Sequence, residues 1–189
     1  MISGCEFLNT SAEAREQFRY NVLQVLANQV YNQRGGGIAF YFGAANYSGV
    51  VRIEESLFSD CRADDSGGGV YMFLGGDDSA HDITVSGTNF TRNCALDGGG
   101  LEITHSNRDS IDNPNRITVE NCRFRDNSAN FGGGYKNIQL NDQTNANWVM
   151  VKDTVFENNE ANVGAGIYLQ AVVTVVKATL KRRVTMENW

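Results

Sequence analysis

The chain has 189 residues, room for one domain that can bury well over half of its unfolded surface. Its 16 basic and 22 acidic residues leave a formal net charge of -6, and the only basic cluster is Lys181-Arg182-Arg183, which argues against a nucleic-acid binder. At 41% hydrophobic and 20% charged it reads as globular, no apolar run approaches the roughly 20 residues of a membrane helix, and Met1 to Glu6 lacks the basic-then-apolar pattern of a signal peptide.

In chain order, Ile2, Phe7, Thr10 and Ala12 carry a spacing that recurs later, and predict a partial first coil over 1–12. The next stretch breaks that spacing. Phe18, Val22, Val25, Leu26 and Gln29 recur at three or four residues, and Thr10 with Glu13 fits a capping box. An amphipathic helix from about Ser11 to Asn32 is expected, within a segment 13–34 that is an insertion, a cap on the open first coil or a mis-joined gene segment.

From residue 35 to 189 the chain is periodic. Glycine triplets begin at Gly35, Gly67, Gly98 and Gly132, with Gly-Ala-Gly at Gly164, a spacing in the solenoid range. Phe58, Phe90, Phe124 and Phe156 stand shortly before the glycines. Cys61, Asn93, Asn127 and Asn159 follow them in one register, and Ala63, Ala95, Ala129 and Ala161 in another. Val51 and Ile53, Ile83 and Val85, Ile117 and Val119, and Val149 and Val151 precede them. After the glycines, Ile38 and Phe40, Val70 and Met72, Leu101 and Ile103, and Ile167 and Leu169 alternate with residues of variable polarity. Period two means short strands with one buried face. Polar stretches of unequal length, such as 74–79 and 106–110, put the loops on one side of the stack.

Each unit therefore predicts one coil of a parallel β-helix. Gly36, Gly68, Gly99 and Gly133 are expected at a corner that excludes a Cβ. Phe58, Phe90, Phe124 and Phe156 form an internal aromatic ladder, and Asn93, Asn127 and Asn159 an amide ladder that satisfies buried backbone groups.

The motif pairs Phe90-Thr91-Arg92-Asn93 with Gly98-Gly99-Gly100-Leu101, Phe124-Arg125-Asp126-Asn127 with Gly132-Gly133-Gly134, and Phe156-Glu157-Asn158-Asn159 with Gly164-Ala165-Gly166-Ile167. This Phe-x-x-Asn and Gly-Gly-x-hydrophobic pattern resembles the repeats of chlamydial polymorphic outer-membrane proteins, within the right-handed parallel β-helix (pectin-lyase-like) group. The resemblance covers about Gly35 to Leu169. It implies an exported, adhesin-like passenger at the cell surface, and it supplies the handedness. The expected fold is all-β: a right-handed parallel β-helix solenoid of five to six coils, with one amphipathic helix near the N-terminus. Val173, Val175 and Leu180 fit a degenerate last coil, and a chain that starts and stops in mid-pattern reads as a fragment of a longer one.

Candidate chemistry is sparse. Among the cysteines, Cys61 and Cys94 in adjacent coils are the only pair worth testing as a disulfide, against a reading of all four as small buried apolar residues. Asp77, Asp78, His81 and Asp82 form the best acidic loop. Such a loop can hold calcium, but it lacks the spacing of a defined cage, so no metal or other cofactor is assigned. Outward positions after the glycines are Ala39 and Tyr41, Tyr71 and Phe73, Glu102 and Thr104, Lys136 and Ile138, and Tyr168 and Gln170. Tyr41, Tyr71, Phe73 and Tyr168 can stack on sugar rings or anchor a protein. Glu102 opposite Lys136 reads as a cross-coil ion pair of little worth.

The preferred function is a non-enzymatic extracellular or cell-surface module for adhesion, binding a glycan or protein partner. The alternatives are a carbohydrate-active enzyme of the pectin-lyase-like group, acting at the Asp77 loop, and a structural spacer.

Overall fold

The computed structural model describes residues 2–3, 6–8, 24–25, 34–43, 48–76, 79–106, 115–140, 147–170 and 173–181. Strands β1 (Ile2–Ser3), β2 (Glu6–Leu8) and β3 (Gln24–Val25) come first. One turn then holds β4 (Ile38–Phe42), β5 (Val50–Glu54) and β6 (Leu57–Ser59), and the next β7 (Val70–Leu74), β8 (Asp82–Ser86) and β9 (Asn89–Thr91). After these come β10 (Leu101–His105), β11 (Arg116–Glu120), β12 (Arg123–Arg125) and β13 (Ser128–Phe131). Beyond them lie β14 (Tyr135–Gln139), β15 (Trp148–Glu157) and β16 (Glu160–Val163), then β17 (Ile167–Gln170) and β18 (Val173–Lys181).

From β4 onward each strand pairs in parallel with its counterpart one turn away. Leu101 lies between Val70 and Tyr135, and Ile117 between Ile83 and Val149. The molecule is an all-β parallel solenoid with roughly four turns in the described residues. Part-turns stack on both ends: Ile2 sits opposite Ile53 and Phe7 opposite Phe58, in the register their spacing gives, while β18 lies on β15. Thr10 and Ala12 lie outside the described residues.

Alternation creates the core. In β5, β8 and β11 the second and fourth residues are buried, and Ile53, Ile83, Val85, Ile117 and Val119 are fully enclosed. Phe58, Phe90, Phe124 and Phe156 stack with centroids 5.1, 4.6 and 4.9 Å apart and planes within 7° of parallel.

Each glycine of the triplet is required for its own reason. Gly67 has φ +65°, in the left-handed region. A Cβ on Gly68 would lie 2.2 Å from the Gly99 carbonyl oxygen of the next turn, and one on Gly69 2.6 Å from that of Gly100. The predicted series Gly36, Gly68, Gly99 and Gly133 is the middle member, and in every case the obstacle is backbone. Two other corners also turn through left-handed residues, mostly with side chains: Glu55, Gly87, Asn121 and Asp153 at one, and Asp60, Arg92, Asp126 and Asn158 at the other. Stacked backbones approach too closely for a Cβ only at the glycine corner.

Three polar ladders close the turns. In the predicted one, Asn93 Oδ1 accepts the Cys61 N–H at 3.0 Å while its Nδ2 donates to the Phe58 carbonyl at 3.0 Å. Asn127 repeats this with the Asn93 N–H and the Phe90 carbonyl, and Asn159 with the Asn127 N–H and the Phe124 carbonyl. A second ladder runs through Ser56, Thr88, Cys122 and Thr154. The side chains donate to the carbonyls of Glu54, Ser86, Glu120 and Lys152, and Thr88 and Thr154 also accept from the turn before. The third links Gly49, His81, Asn115 and Asn147, each side-chain acceptor taking the N–H of the preceding turn.

Two expectations are corrected here. Within the stretch read as helix, Gln24 and Val25 form a strand antiparallel to Tyr41 and Phe40. The open edge of β4 carries unpaired backbone groups that a ladder partner satisfies and a helix cannot. The rest of 11–33 lies outside the described residues. In the last coil, Leu180 does face Phe156, but Thr174 and Val176, not Val173 and Val175, face Val149 and Val151. The register slips by one between Lys152 and Thr154, because β18 has no counterpart of the left-handed Asp153. Counting back from Leu180 at the full spacing therefore lands one residue early.

Candidate binding face

The glycine corner sets the outer face of the sheet β3-β4-β7-β10-β14-β17. Just before each corner stands Arg34, Ser66, Asp97, Phe131 or Val163; just after it, pointing outward, stands Ala39, Tyr71, Glu102, Lys136 or Tyr168. These two columns meet diagonally, one turn apart. Arg34 lies 4.9 Å above the Tyr71 ring and donates to its hydroxyl at 2.7 Å. Lys136 Nζ is 2.7 Å from Asp97, and Phe131 meets Tyr168 edge-on at 5.8 Å.

Three of the four predicted aromatic anchors are half-buried, and Tyr71 is a correction: it is only 2% exposed. Alternation alone puts it outside, but the Arg34 guanidinium, held by Asp65 at 2.7 Å, lies over it. Burial pushes the Tyr71 phenol up to about 12. Tyr41 and Phe73 stack on one another at 4.4 Å.

The Glu102–Lys136 pair is also corrected, because it is buried rather than a surface pair. Glu102 is 3% and Lys136 5% exposed. Lys136 Nζ lies 3.2 Å from Glu102 Oε1, which also accepts from the Thr104 hydroxyl at 3.1 Å. Glu102 Oε2 has no hydrogen-bond partner among the described residues. Burial raises the Glu102 carboxyl above its ordinary range and Asp97 adds to this, while Lys136 opposes both. Removing either partner here would strand a buried charge, so the pair matters more than an exposed one.

Two residues of the acidic loop, His81 and Asp82, lie within the described residues. His81 is buried in the third ladder, whereas Asp82 begins β8 and is exposed, so the two diverge. Asp77 and Asp78 lie outside the described residues. No group of three metal-ligating side chains occurs among the described residues. Cys61, Cys94 and Cys122 are not joined in disulfides; Cys61 is buried and donates to the Ser59 carbonyl, so the candidate bridge to Cys94 does not form. Burial pushes the Cys122 thiol up to about 12.

Sequence reasoning missed an apolar strip at the same corner. Leu96, Phe131 and Val163 are 51%, 40% and 44% exposed, flanked by Tyr168 and by the exposed amides Asn130 and Asn162, which contact each other at 3.3 Å. The signal for it is positional: Phe131 and Val163 occupy the place before the glycines where Ser66 and Asp97 stand in earlier turns. Chemically the face is thus in two parts. Around β7 to β14 its charges are matched internally; around β13 and β16 it offers apolar and amide surface beside the exposed Glu160.

No family model matches the chain, and neither the curated proteins nor the solved structures contain a match to it.

Proposed function

We propose that this solenoid is a non-enzymatic binding module of an extracellular or cell-surface protein, taking a glycan or a protein surface on the strip around Phe131. The observation that carries this reading is the exposure of Leu96, Phe131 and Val163 beside Tyr168, at positions with no part in the coil-to-coil core. Exposed apolar surface of this kind is what partners cover. An aromatic edge with two amides suits a ligand that has both apolar and hydroxyl faces. The resemblance of the repeats to chlamydial polymorphic outer-membrane proteins and the right-handed pectin-lyase-like group supports adhesion and a surface location.

The carbohydrate-active alternative draws on a different observation, the buried Glu102 carboxyl raised beside Asp97 and Lys136. A buried carboxyl whose charged form is disfavoured, with a second carboxyl nearby, is an element that acid–base hydrolysis uses. One experiment separates the readings. The chain and Phe131→Ser are incubated with acidic and neutral polysaccharides, with and without calcium, and polymer size and co-elution are followed by chromatography. The binding reading expects intact polymer that co-elutes with the unaltered chain and at least ten-fold less with Phe131→Ser. Shortened polymer supports the enzyme. Intact polymer that never co-elutes removes the glycan arm and leaves protein partners or a spacer role.

A further inference from the structure

Both histidines of the chain lie in one corner, where the turns leave β4, β7, β10 and β14 and return to β5, β8, β11 and β15. His81, just before β8, is 2% exposed and His105, ending β10, is 1% exposed. Neither belongs to the face described above, and their proton positions follow from the backbone. The Gly49 N–H donates to His81 Nδ1 at 3.1 Å, and a backbone amide cannot reverse its role. His81 Nδ1 therefore carries no proton. The His81 N–H donates to Asn115 Oδ1 at 2.9 Å, which fixes the orientation of that amide. Asn115 Nδ2 then faces His105 Nδ1 at 3.2 Å, so this nitrogen too must accept.

A neutral imidazole has one donor and one acceptor, so both rings carry their proton on Nε2. On the far side of His105, the atom placed as Asn137 Nδ2 lies 3.1 Å from Nε2 and donates to the Tyr135 hydroxyl at 3.1 Å, while Asn137 Oδ1 is buried with no hydrogen-bond partner among the described residues. As placed, Nδ2 opposes the Nε2–H donor; exchanging the oxygen and nitrogen of this amide lets the oxygen accept from both Nε2–H and the Tyr135 O–H. Donor counting thus gives a continuous chain of bonds from the His81 backbone through Asn115, His105 and Asn137 to Tyr135.

We propose that this corner is a proton-operated catch: His81 and His105 close it as neutral Nε2–H tautomers, and protonation aims each Nδ1 as a donor at another donor, releasing the Gly49–His81–Asn115 ladder. The device sits where it can act on the loops, because His81 and Asn115 are the residues at which two of them rejoin the coil. The titratable groups facing the pair among the described residues are each other and, through Asn137, the Tyr135 phenol. Phe42 of β4 packs on His81 at 4.8 Å. Burial lowers both imidazoles, that of His105 to about 4 with His81 adding to the fall, while a hydrogen bond to the Gly75 backbone opposes the fall at His81. An unfolded histidine titrates near 6.5, so the native contribution is intact above that pH and is lost as pH falls toward about 4.

The test is a titration of the ¹⁵N-labelled chain from pH 7.5 to 3.5, following the imidazole nitrogens and amide exchange. The expected result is the Nε2–H tautomer on both rings at pH 7.5 and a His105 midpoint near 4. Relative to the Asn93 and Asn127 amides, which another ladder holds, exchange at the His81 and Asn115 amides should rise by up to about ten-fold per pH unit through that transition. An Nδ1–H tautomer on either ring overturns the proposal. So does an ordinary midpoint near 6.5, or loss of protection in both ladders together. His105→Asn, which keeps an acceptor near the Nδ1 position without titrating, should remove the part of the acid-induced exchange that follows the His105 midpoint and leave only the part that follows His81. If that variant does not fold, the tautomers and midpoint in the unaltered chain still decide.

Discussion

Inside and outside the same turns, side chains stack along one axis under opposite constraints. Inward, a residue's neighbours are its own counterparts: four phenylalanines lie nearly parallel, and the asparagines pass hydrogen bonds to one another. Groups that complement themselves, such as rings and amides, can be repeated without penalty. Outward at the glycine corner no residue type repeats from one turn to the next. A charge stacked on its like is destabilising, so Arg34 covers Tyr71, and Lys136 sits between Asp97 and Glu102. Toward β13 and β16 this pairing of charges ends and apolar side chains remain exposed. Repetition marks what stacking needs, and departure from repetition marks surface free to acquire a ligand.

The most severe way to break the inner order is Gly99→Val. The new Cβ would lie 2.4 Å from the Gly133 carbonyl oxygen and 2.5 Å from that of Ser128, and neither atom can move without shifting a strand ladder. Loss of about 4 kcal/mol or more is expected, enough to abolish a cooperative thermal transition followed by circular dichroism. At Gly43, where the nearest atom is 3.5 Å away in the Tyr41 ring, the same substitution should leave the transition in place. If Gly99→Val melts like the unaltered chain, the close-approach account of the triplet is wrong.

The contrast also explains which features the amino-acid sequence displays openly. Self-complementary ladders leave identical residues at fixed spacing, so the coil, the Phe and Asn series and the glycine corner are legible in the sequence. The hydroxyl ladder is less so, because Ser56, Thr88, Cys122 and Thr154 share a hydrogen-bonding role but not an identity. The Gly49–His81–Asn115–Asn147 ladder lies nine residues before each Phe, yet His81 reads as a loop residue beside acids. Alternation gives the outward direction of Tyr71 and Glu102 correctly but not their burial, which depends on what lies over them. The apolar strip is hidden because its signal is an absence of repetition.

A smaller effect sharpens the outer side of the comparison. Burial raises the Glu102 carboxyl above its unfolded value, so the folded state binds more protons than the unfolded one between the two. Glu102 therefore contributes stability below about pH 4.5 that is lost as pH rises through the folded value. His105 has the opposite sign, losing stability as pH falls from 6.5 toward about 4. Glu102→Gln removes the first slope only. Its urea midpoint should then fall more steeply on acidification than that of the unaltered chain. Identical pH profiles would mean that Glu102 is paired strongly enough to titrate normally.

The smallest expected effect tests whether a ladder position is defined by bonding role rather than residue type. Cys122 sits between Thr88 and Thr154 in register, with Sγ 3.2 Å from the Glu120 carbonyl and 3.4 Å from that of Val85. Thr154 makes the same two kinds of contact, to Lys152 at 2.9 Å and to Val119 at 3.4 Å. A hydroxyl is the better donor and its methyl replaces the buried bulk of sulfur. Cys122→Thr should therefore change stability by no more than about 1 kcal/mol, in either direction. Cys122→Val removes the donor and leaves buried carbonyls without it, so it should cost more than Cys122→Thr in the same melt. If valine is tolerated and threonine is not, the thiol is filling space, and the second ladder stops at Thr88.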